Sequence, residues 1–318
     1  MKSGVDDDPT DQDLMFISYS SARSTLGTFT QRMSGVTVLL HDPVQFMRHY
    51  YHFWGEIILG AWRVYTTISQ RSAFPLTWSE TEPMRFLMPF SDNGAWRDGP
   101  GVNSPLMRAA FPSAALEESD QWSDLQKLGT TVVLDRVVLV DRHAAHRHPN
   151  SNVWFKMIAS TMDVDAAKGF WEPIRQSVVK CILGYIPTVN EQGVVLNLEA
   201  RKKGDMAPLV TYVSRQGAGR RLTKEDDEGL VAALEGLERE GVIRFRLAKM
   251  EKMDLREQIE LAAKTTVMVG VHGNGLTHQL WMPSSPWSTV MEILRPKSYV
   301  FDYEMLSRNA GHRVRGPL

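Results

Sequence analysis

Two stretches of this sequence combine residues suited to gripping an anion with residues suited to moving a proton. The segment Val269-Gly270-Val271-His272-Gly273-Asn274-Gly275-Leu276-Thr277-His278 reads as a strand running into a glycine-lined turn and then a helix. A strand end delivers the backbone, and glycines let it approach a phosphate with no Cβ in the way. The helix N-terminus then aims N–H groups and the positive end of its dipole at the ligand. That chemistry is a diphosphate cradle, built from Gly273, Asn274, Gly275, Leu276 and Thr277 mainly through their backbone. The segment lacks the third glycine and distant acidic residue of a dinucleotide fingerprint, and the lysine of a P-loop. Glycines that serve only a tight turn account for the same pattern, and His272 reads either as a packed strand-end histidine or as a ligand-facing group.

Other side chains extend this picture. Arg215 follows the apolar run Leu209 to Val213, where ligands of open parallel sheets bind, and its fork-shaped guanidinium suits a pyrophosphate. An exposed surface arginine is the alternative, more so for Arg220 and Arg221. Glu292, near the end of the run Ser288 to Leu294, can accept hydrogen bonds from ribose hydroxyls or serve in a salt bridge. Upstream, His52 and Glu56 stand four apart and share a helix face, so they form either a base for a hydroxyl proton or a His–Glu pair that stabilises a buried helix. Asp141, at the end of Val137 to Val140, is a further candidate base. The run His143-Ala144-Ala145-His146-Arg147-His148 matches no defined zinc spacing and has no nearby cysteine, so a surface loop is expected there and a metal site is not. Trp154, Trp171 and Trp281 could stack on sugar rings, although aromatics more often fill cores.

The elements that must position these groups follow from periodicity. Residues 1 to 33, rich in Ser, Thr and Asp, read as a flexible lead-in. Val36 to Leu40 is a strand, and Val44 to Ile68 is one long, mostly buried helix. Loops dominate from Pro75 to Pro105 apart from a strand at Arg85 to Met88, and Thr130 to Val140 supplies two strands or one long one. In the second half, strands at Leu209 to Val213, Val242 to Leu247, Thr265 to Val271 and Ser288 to Leu294 alternate with helices. These helices are Lys224 to Glu240 after the cap Thr223, a helix after Asp254 through Lys264, Asn274 to Trp281, and Phe301 to Asn309. That alternation implies a parallel, Rossmann-like sheet. The expected organisation is a first α/β domain over 34–204 and a second over 205–318, divided near Lys202-Lys203-Gly204-Asp205.

Composition limits the function classes. The 318 residues suffice for two domains, and 43% apolar with 23% charged residues is globular composition. Lys and Arg number 36 against 37 Asp and Glu, so no global basic field exists to hold nucleic acid. Cys181 is the single cysteine, which excludes an internal disulfide. No signal peptide or membrane span is visible.

The ordered series Met253-Asp254-Leu255-Arg256-Glu257-Gln258-Ile259, Val269 to Thr277, Met282-Pro283, Val290-Met291-Glu292-Ile293 and Gly311-His312 resembles the catalytic domain of glycosyltransferase family 61. Tyr212 to Gln216 with Arg220-Arg221 is similar to that family's Ser-Arg segment. Tyr50-Tyr51-His52-Phe53 with Glu56, and Trp171 to Arg175, resemble its fungal branch. The resemblance covers residues 40 to 318. It implies a GT-B architecture of two Rossmann-like α/β domains facing a cleft, and an inverting transfer from a nucleotide-sugar, usually a UDP-sugar, to a hydroxyl of a glycan or glycoprotein acceptor, with no cofactor or obligatory metal. On that reading Arg215, Arg220, His272 to Thr277 and Glu292 bind the donor, and His52, Glu56 and His272 are the catalytic candidates. A non-catalytic nucleotide-sugar-binding relative and a metal-dependent hydrolase built on the 143–148 histidines are the alternatives. The family's setting is the lumen of the secretory pathway. This chain shows no anchor or signal and stops soon after Gly311-His312, which implies a truncated gene model, or a cytoplasmic protein if the chain is complete.

Overall fold

The computed structural model describes residues 14–27, 29–71, 83–154, 156–196 and 206–315. They divide into two compact units, Met1–Ala166 and Ala167–Leu318. The segment Lys202 to Asp205, expected to separate the domains, lies outside the described residues. The helix Glu172–Leu183 belongs to the second unit, where Ile174, Val178 and Val179 are buried and it packs on the helix Leu255–Lys264.

In the first unit, β1 (Thr30–His41), β2 (Arg85–Leu87), β3 (Ala115–Glu117) and β4 (Thr131–Asp141) form an all-parallel sheet in the order β3-β2-β1-β4. Order begins earlier than the lead-in expected over 1–33. Ser18 caps a helix at Tyr19–Leu26, and Thr30 to Met33 pair with Thr131 to Leu134. The register then shifts between Met33 and Val36, where Ser34 and Gly35 stand against Asp135 alone. Gly35 takes a positive φ of 84° there, and the Asp135 carboxylate accepts from its N–H at 3.3 Å and from Arg32 Nε at 2.5 Å. A polar, bulged strand start of this kind carries no alternating apolar signal, so only the apolar stretch from Val36 is legible.

The single helix expected over Val44 to Ile68 is three pieces. A short turn of helix at Val44–Met47 leads into a π-helix, Tyr51–Ile58, and then an α-helix, Leu59–Arg71. Every π-helical residue except His52 is buried, so the segment is apolar on all sides and its spacing cannot reveal its winding. The loop expected at 143–148 is largely a short helix, Arg142–Arg147, started by the Asp141 carboxylate accepting from the Ala144 N–H at 2.9 Å. The Pro75 to Pro105 region leads directly into another helix, Asn103–Ala110.

The second unit follows its sequence pattern closely. Strands β5 (Leu209–Val213), β6 (Arg244–Ala248), β7 (Val267–Val271), β8 (Thr289–Ile293) and β9 (Arg313–Arg315) form a second all-parallel sheet in the order β6-β5-β7-β8-β9. Val210, Tyr212, Ile243, Phe245 and Val269 make its core, covered by Leu230, Val231 and Leu234 of the helix Lys224–Arg239. Thr223 caps that helix, and Asp254 with Glu257 forms a capping box on the helix Leu255–Lys264. The helix expected after the glycine turn is 3-10 in character, Asn274–Trp281. Two all-parallel α/β sheets are what a GT-B fold contains. No helix among the described residues is long and apolar enough to cross a membrane.

Candidate functional site

In the second sheet, chain order and spatial order disagree at one place. Its first strand, β5, is followed by an outward step to β6, and the chain then returns to build β7, β8 and β9 on the other side of β5. The carboxyl ends of β5 and β7 therefore diverge, and the crevice between them is where open α/β sheets hold ligands. Ser214 and Arg215 follow directly on β5, and His272 follows directly on β7.

Arg215 Nη1 donates to the His272 carbonyl oxygen. A β-carbon at residue 273 would lie 1.4 Å from Arg215 Nη1, so the guanidinium lies directly across Gly273, whose φ is 153°. A β-carbon on Gly275 would lie 2.7 Å from Val213 Cγ1, which is how closely the turn approaches the end of β5. The glycines thus make room both for an arginine and for a strand. Burial, joined by the charge of Arg220, draws the Arg215 pKa down, but a guanidinium stays protonated under such shifts. Arg220 itself is exposed, as is Arg221.

The His272 ring is fixed from both sides. Parallel pairing sets Gly270 opposite Glu292, and the His272 N–H donates to the Ile293 carbonyl at 3.0 Å. His272 Nδ1 then meets Glu292 Oε1 at 2.5 Å, and its Nε2 stands 3.7 Å from Asp302 Oδ2, with the Tyr303 ring edge-on at 5.2 Å. Burial pushes the Glu292 carboxyl above the usual range, the His272 bond works against that, and the charges of Asp302 and Glu304 add to the rise. The Glu292 oxygen that reaches His272 is engaged by an imidazole, not presented to a ribose. The remaining turn residues face inward. Leu276 and Thr277 are fully buried, and the Leu276 N–H is committed to the Gly273 carbonyl at 2.9 Å. Arg215, His272, Gly273 and Glu292 come together, while Arg220 stands at the rim.

The first sheet has its own switch, because β2 and β3 lie on one side of β1 and β4 on the other. The register pairs His41 with Asp141, so the next residues, Asp42 and Arg142, leave the sheet side by side. Asp141 accepts from His41 Nδ1 at 3.2 Å, a bond that, ahead of its helix-capping role, draws its carboxyl down to about 2. Arg142 Nε donates to Asp42 Oδ1 at 3.0 Å and its Nη1 to Glu56 Oε2 at 2.9 Å, with the guanidinium 3.8 Å above the centre of the Phe46 ring. His52 Nδ1 shares the same Glu56 oxygen at 2.7 Å. Burial lifts the Asp42 carboxyl to about 6 against the pull of Arg142. Burial would lift Glu56 too, but the His52 bond and the Arg142 charge together hold it below the carboxylate range.

Sequence reasoning paired His52 with Glu56 but missed Asp42 and Arg142. The available signal was a charged residue immediately after each apolar strand, His41-Asp42 and Asp141-Arg142. It also missed Asp302 and Tyr303 beside His272. The remaining candidates serve the fold. Trp171 and Trp281 are buried against each other, with ring centroids 6.1 Å apart. His312 is buried, its Nε2 donating to the Gln279 carbonyl and its Nδ1 facing Ser288 Oγ. Among the described residues, no three His, Cys, Asp or Glu side chains gather where they could share a metal, the 143–148 histidines included.

A guanidinium and an imidazole stand together at the switch point of a parallel α/β sheet, above a glycine turn, the place where open sheets of this kind hold ligands. The sequence model of glycosyltransferase 61 matches residues 50–291, about three quarters of the chain, and the chain belongs to that family of glycosyltransferases. A stretch of 106 residues is 32% identical to the EGF domain-specific O-linked N-acetylglucosamine transferase of Drosophila melanogaster, covering 33% of this chain and 19% of the relative. The matched part thus spans about a fifth of that relative's length.

Proposed function

We propose that this glycosyltransferase inverts the anomeric centre of a UDP-sugar, with its second unit binding the donor and its first supplying the proton acceptor. The observation that carries this reading is the convergence of Arg215 and His272 on one glycine turn at the carboxyl ends of β5 and β7. Two cationic-capable side chains there suit a diphosphate, whose negative charge grows as the sugar leaves. In the reaction the acceptor oxygen forms a bond to the anomeric carbon, the bond from that carbon to the diphosphate oxygen breaks, and the acceptor's proton passes to a base. The His52 and Glu56 pair is suited to receive it. Arg220 steers the anion from the rim, and the backbone of Gly273 to Gly275 lines the cradle, with Leu276 and Thr277 supporting it from beneath. The name of the fly relative makes UDP-N-acetylglucosamine the first donor to test and a protein hydroxyl the acceptor class, and the family resemblance supports the lumen of the secretory pathway as the setting.

The test is a panel of UDP-N-acetylglucosamine, UDP-xylose and UDP-arabinose, scored for thermal stabilisation and for UDP release. At least one donor should raise the melting temperature of the wild-type chain, and Arg215→Ala and His272→Ala should each abolish that rise. A folded chain that no UDP-sugar stabilises would sink the donor site. Stabilisation without any UDP release, even when glycoprotein acceptors are supplied, would instead mark a nucleotide-sugar-binding relative that has lost transfer.

A further inference from the structure

The mechanism needs one proton acceptor, yet the first unit buries two carboxylates and an arginine behind His52. Glu56 is only 3% exposed at its side chain and Asp42 0%, whereas the His52 side chain is 28% exposed. Glu56 lines a cavity with Asp141 and Met157, but its Oε2 is already shared by Arg142 and His52, which makes it a poor acceptor for the proton of a substrate hydroxyl. His52 differs. Its Nδ1 is bound to Glu56, and among the described residues its Nε2 has no hydrogen-bond partner.

We infer that His52 Nε2 is the proton acceptor of the transfer, and that Asp42, Arg142 and Glu56 form a buried relay of positioning residues that holds the ring in its Nδ1–H tautomer. The inference rests on the proposed transferase reading and names the base within it.

The geometry carries this in three steps. Glu56 is a carboxylate and accepts only, so the Nδ1 facing it at 2.7 Å must donate, which leaves the lone pair on Nε2. Arg142 stops the Glu56 oxygen from swinging, and Asp42 in turn fixes Arg142 through Nε while the Phe46 ring supports the guanidinium face. Finally, the backbone that carries His52 and Glu56 is π-helical, a rare winding frequent at functional sites, and the cluster stands at the switch point of its own sheet. A purely structural ion pair needs neither the switch point nor an open imidazole nitrogen. The proton leaves the acceptor hydroxyl as its oxygen attacks the anomeric carbon, gives an imidazolium balanced by Glu56, and returns to solvent after UDP departs.

Glu56 and Tyr51 neighbour His52 on its own element, His49 stands in the turn just before it, and Arg142, Asp42 and His146 face the pair from the helix after β4 and the turn after β1. Glu56 favours the imidazolium and Arg142 opposes it. Glu56→Gln should therefore weaken the hold on the Nδ1–H tautomer, and Arg142→Gln should loosen the Glu56 carboxylate that keeps it.

Both are read by NMR on the full chain labelled with 15N-histidine, with the His52 signal assigned by its loss in His52→Gln. The neutral wild-type ring should show the Nδ1–H tautomer. With UDP-N-acetylglucosamine as donor and water as acceptor, His52→Gln should cut UDP release at least 100-fold with little change in donor KM. The acid limb of the rate profile should shift in opposite directions in Glu56→Gln and Arg142→Gln, with Arg142→Lys recovering most of the loss. An Nε2–H tautomer in the wild type, or profiles scaled equally at every pH in both variants, would overturn the inference. If Arg142→Gln does not fold, the shift of the acid limb in Glu56→Gln decides alone. Failure of the wild type to bind any UDP-sugar would refute the donor reading, and the His52 tautomer seen by NMR would then decide the relay by itself.

Discussion

The Arg215 guanidinium occupies the volume that a β-carbon on residue 273 would need, 1.4 Å from Nη1. This is a relationship between two chain segments, and it makes Gly273 a condition for Arg215 rather than only a turn residue. Gly273→Ala should displace the arginine from the His272 carbonyl and, with φ at 153°, strain the turn by about 1–3 kcal/mol. UDP affinity measured by calorimetry should fall at least tenfold in Gly273→Ala and no further in the Gly273→Ala/Arg215→Ala double variant. Independent, additive losses would mean that the two residues do not act together.

Glu292 holds one of the two partners that its position allows. Sequence position allowed a ribose contact or a salt bridge, and its Oε1 meets His272 Nδ1 at 2.5 Å. If Glu292 acts by holding the imidazole against the diphosphate, Glu292→Gln should weaken inorganic pyrophosphate and UDP equally, by about tenfold each. A ribose role predicts a loss for UDP alone, with pyrophosphate binding unchanged. Competition of each against a fluorescent UDP analogue separates the two.

The second unit was legible because each of its strands is a short apolar run bounded by capped helices, and Thr223 and Asp254 announce those caps directly. Arg215 and His272 were legible as strand-end residues. Their contact was not, because it depends on β7 lying beside β5 instead of beyond β6, and spatial strand order leaves no mark on local composition. The first unit was read less well for two physical reasons. Its π-helix is apolar on nearly every side, which erases periodicity, and the polar start of β1 is held by a partner a hundred residues away in β4. Arg142 stayed hidden in a histidine-rich run whose composition suggested a solvated loop, because only the His41 to Asp141 register turns it toward Asp42.

The approach of Gly275 to Val213 gives a steric test of the cradle that needs no ligand. The Gly275 backbone would accept a β-carbon, but that carbon would lie 2.7 Å from Val213 Cγ1. Gly275→Ala should cost about 1–3 kcal/mol of overpacking, read from urea unfolding. Val213→Ala removes the opposing methyls, so the double variant should be less destabilised than the sum of the two single changes. Strict additivity would show that the turn and β5 are not in the contact described.

His312 makes the acid stability of the second unit predictable. Burial draws its imidazole pKa down to about 4, with both ring nitrogens already satisfied in the neutral form by Ser288 Oγ and the Gln279 carbonyl. In the unfolded chain the same ring titrates near the usual histidine value, about 6.5. The folded state thus binds fewer protons between these two values. Its stability is full above about pH 6.5 and is lost as the pH falls toward 4, by up to about 3 kcal/mol. Asp42 and Glu292, whose carboxyls are raised by burial, work the other way at acid pH, so the net slope of the wild type mixes opposing contributions. The difference between wild type and His312→Gln isolates one of them. The variant should be less stable at pH 7.5, because Gln cannot reproduce both hydrogen bonds, and the gap should narrow as the pH is lowered from 6.5 to 4. Urea midpoints across that range provide the check. A gap that stays constant with pH would mean that His312 carries the same charge in the folded and unfolded chain.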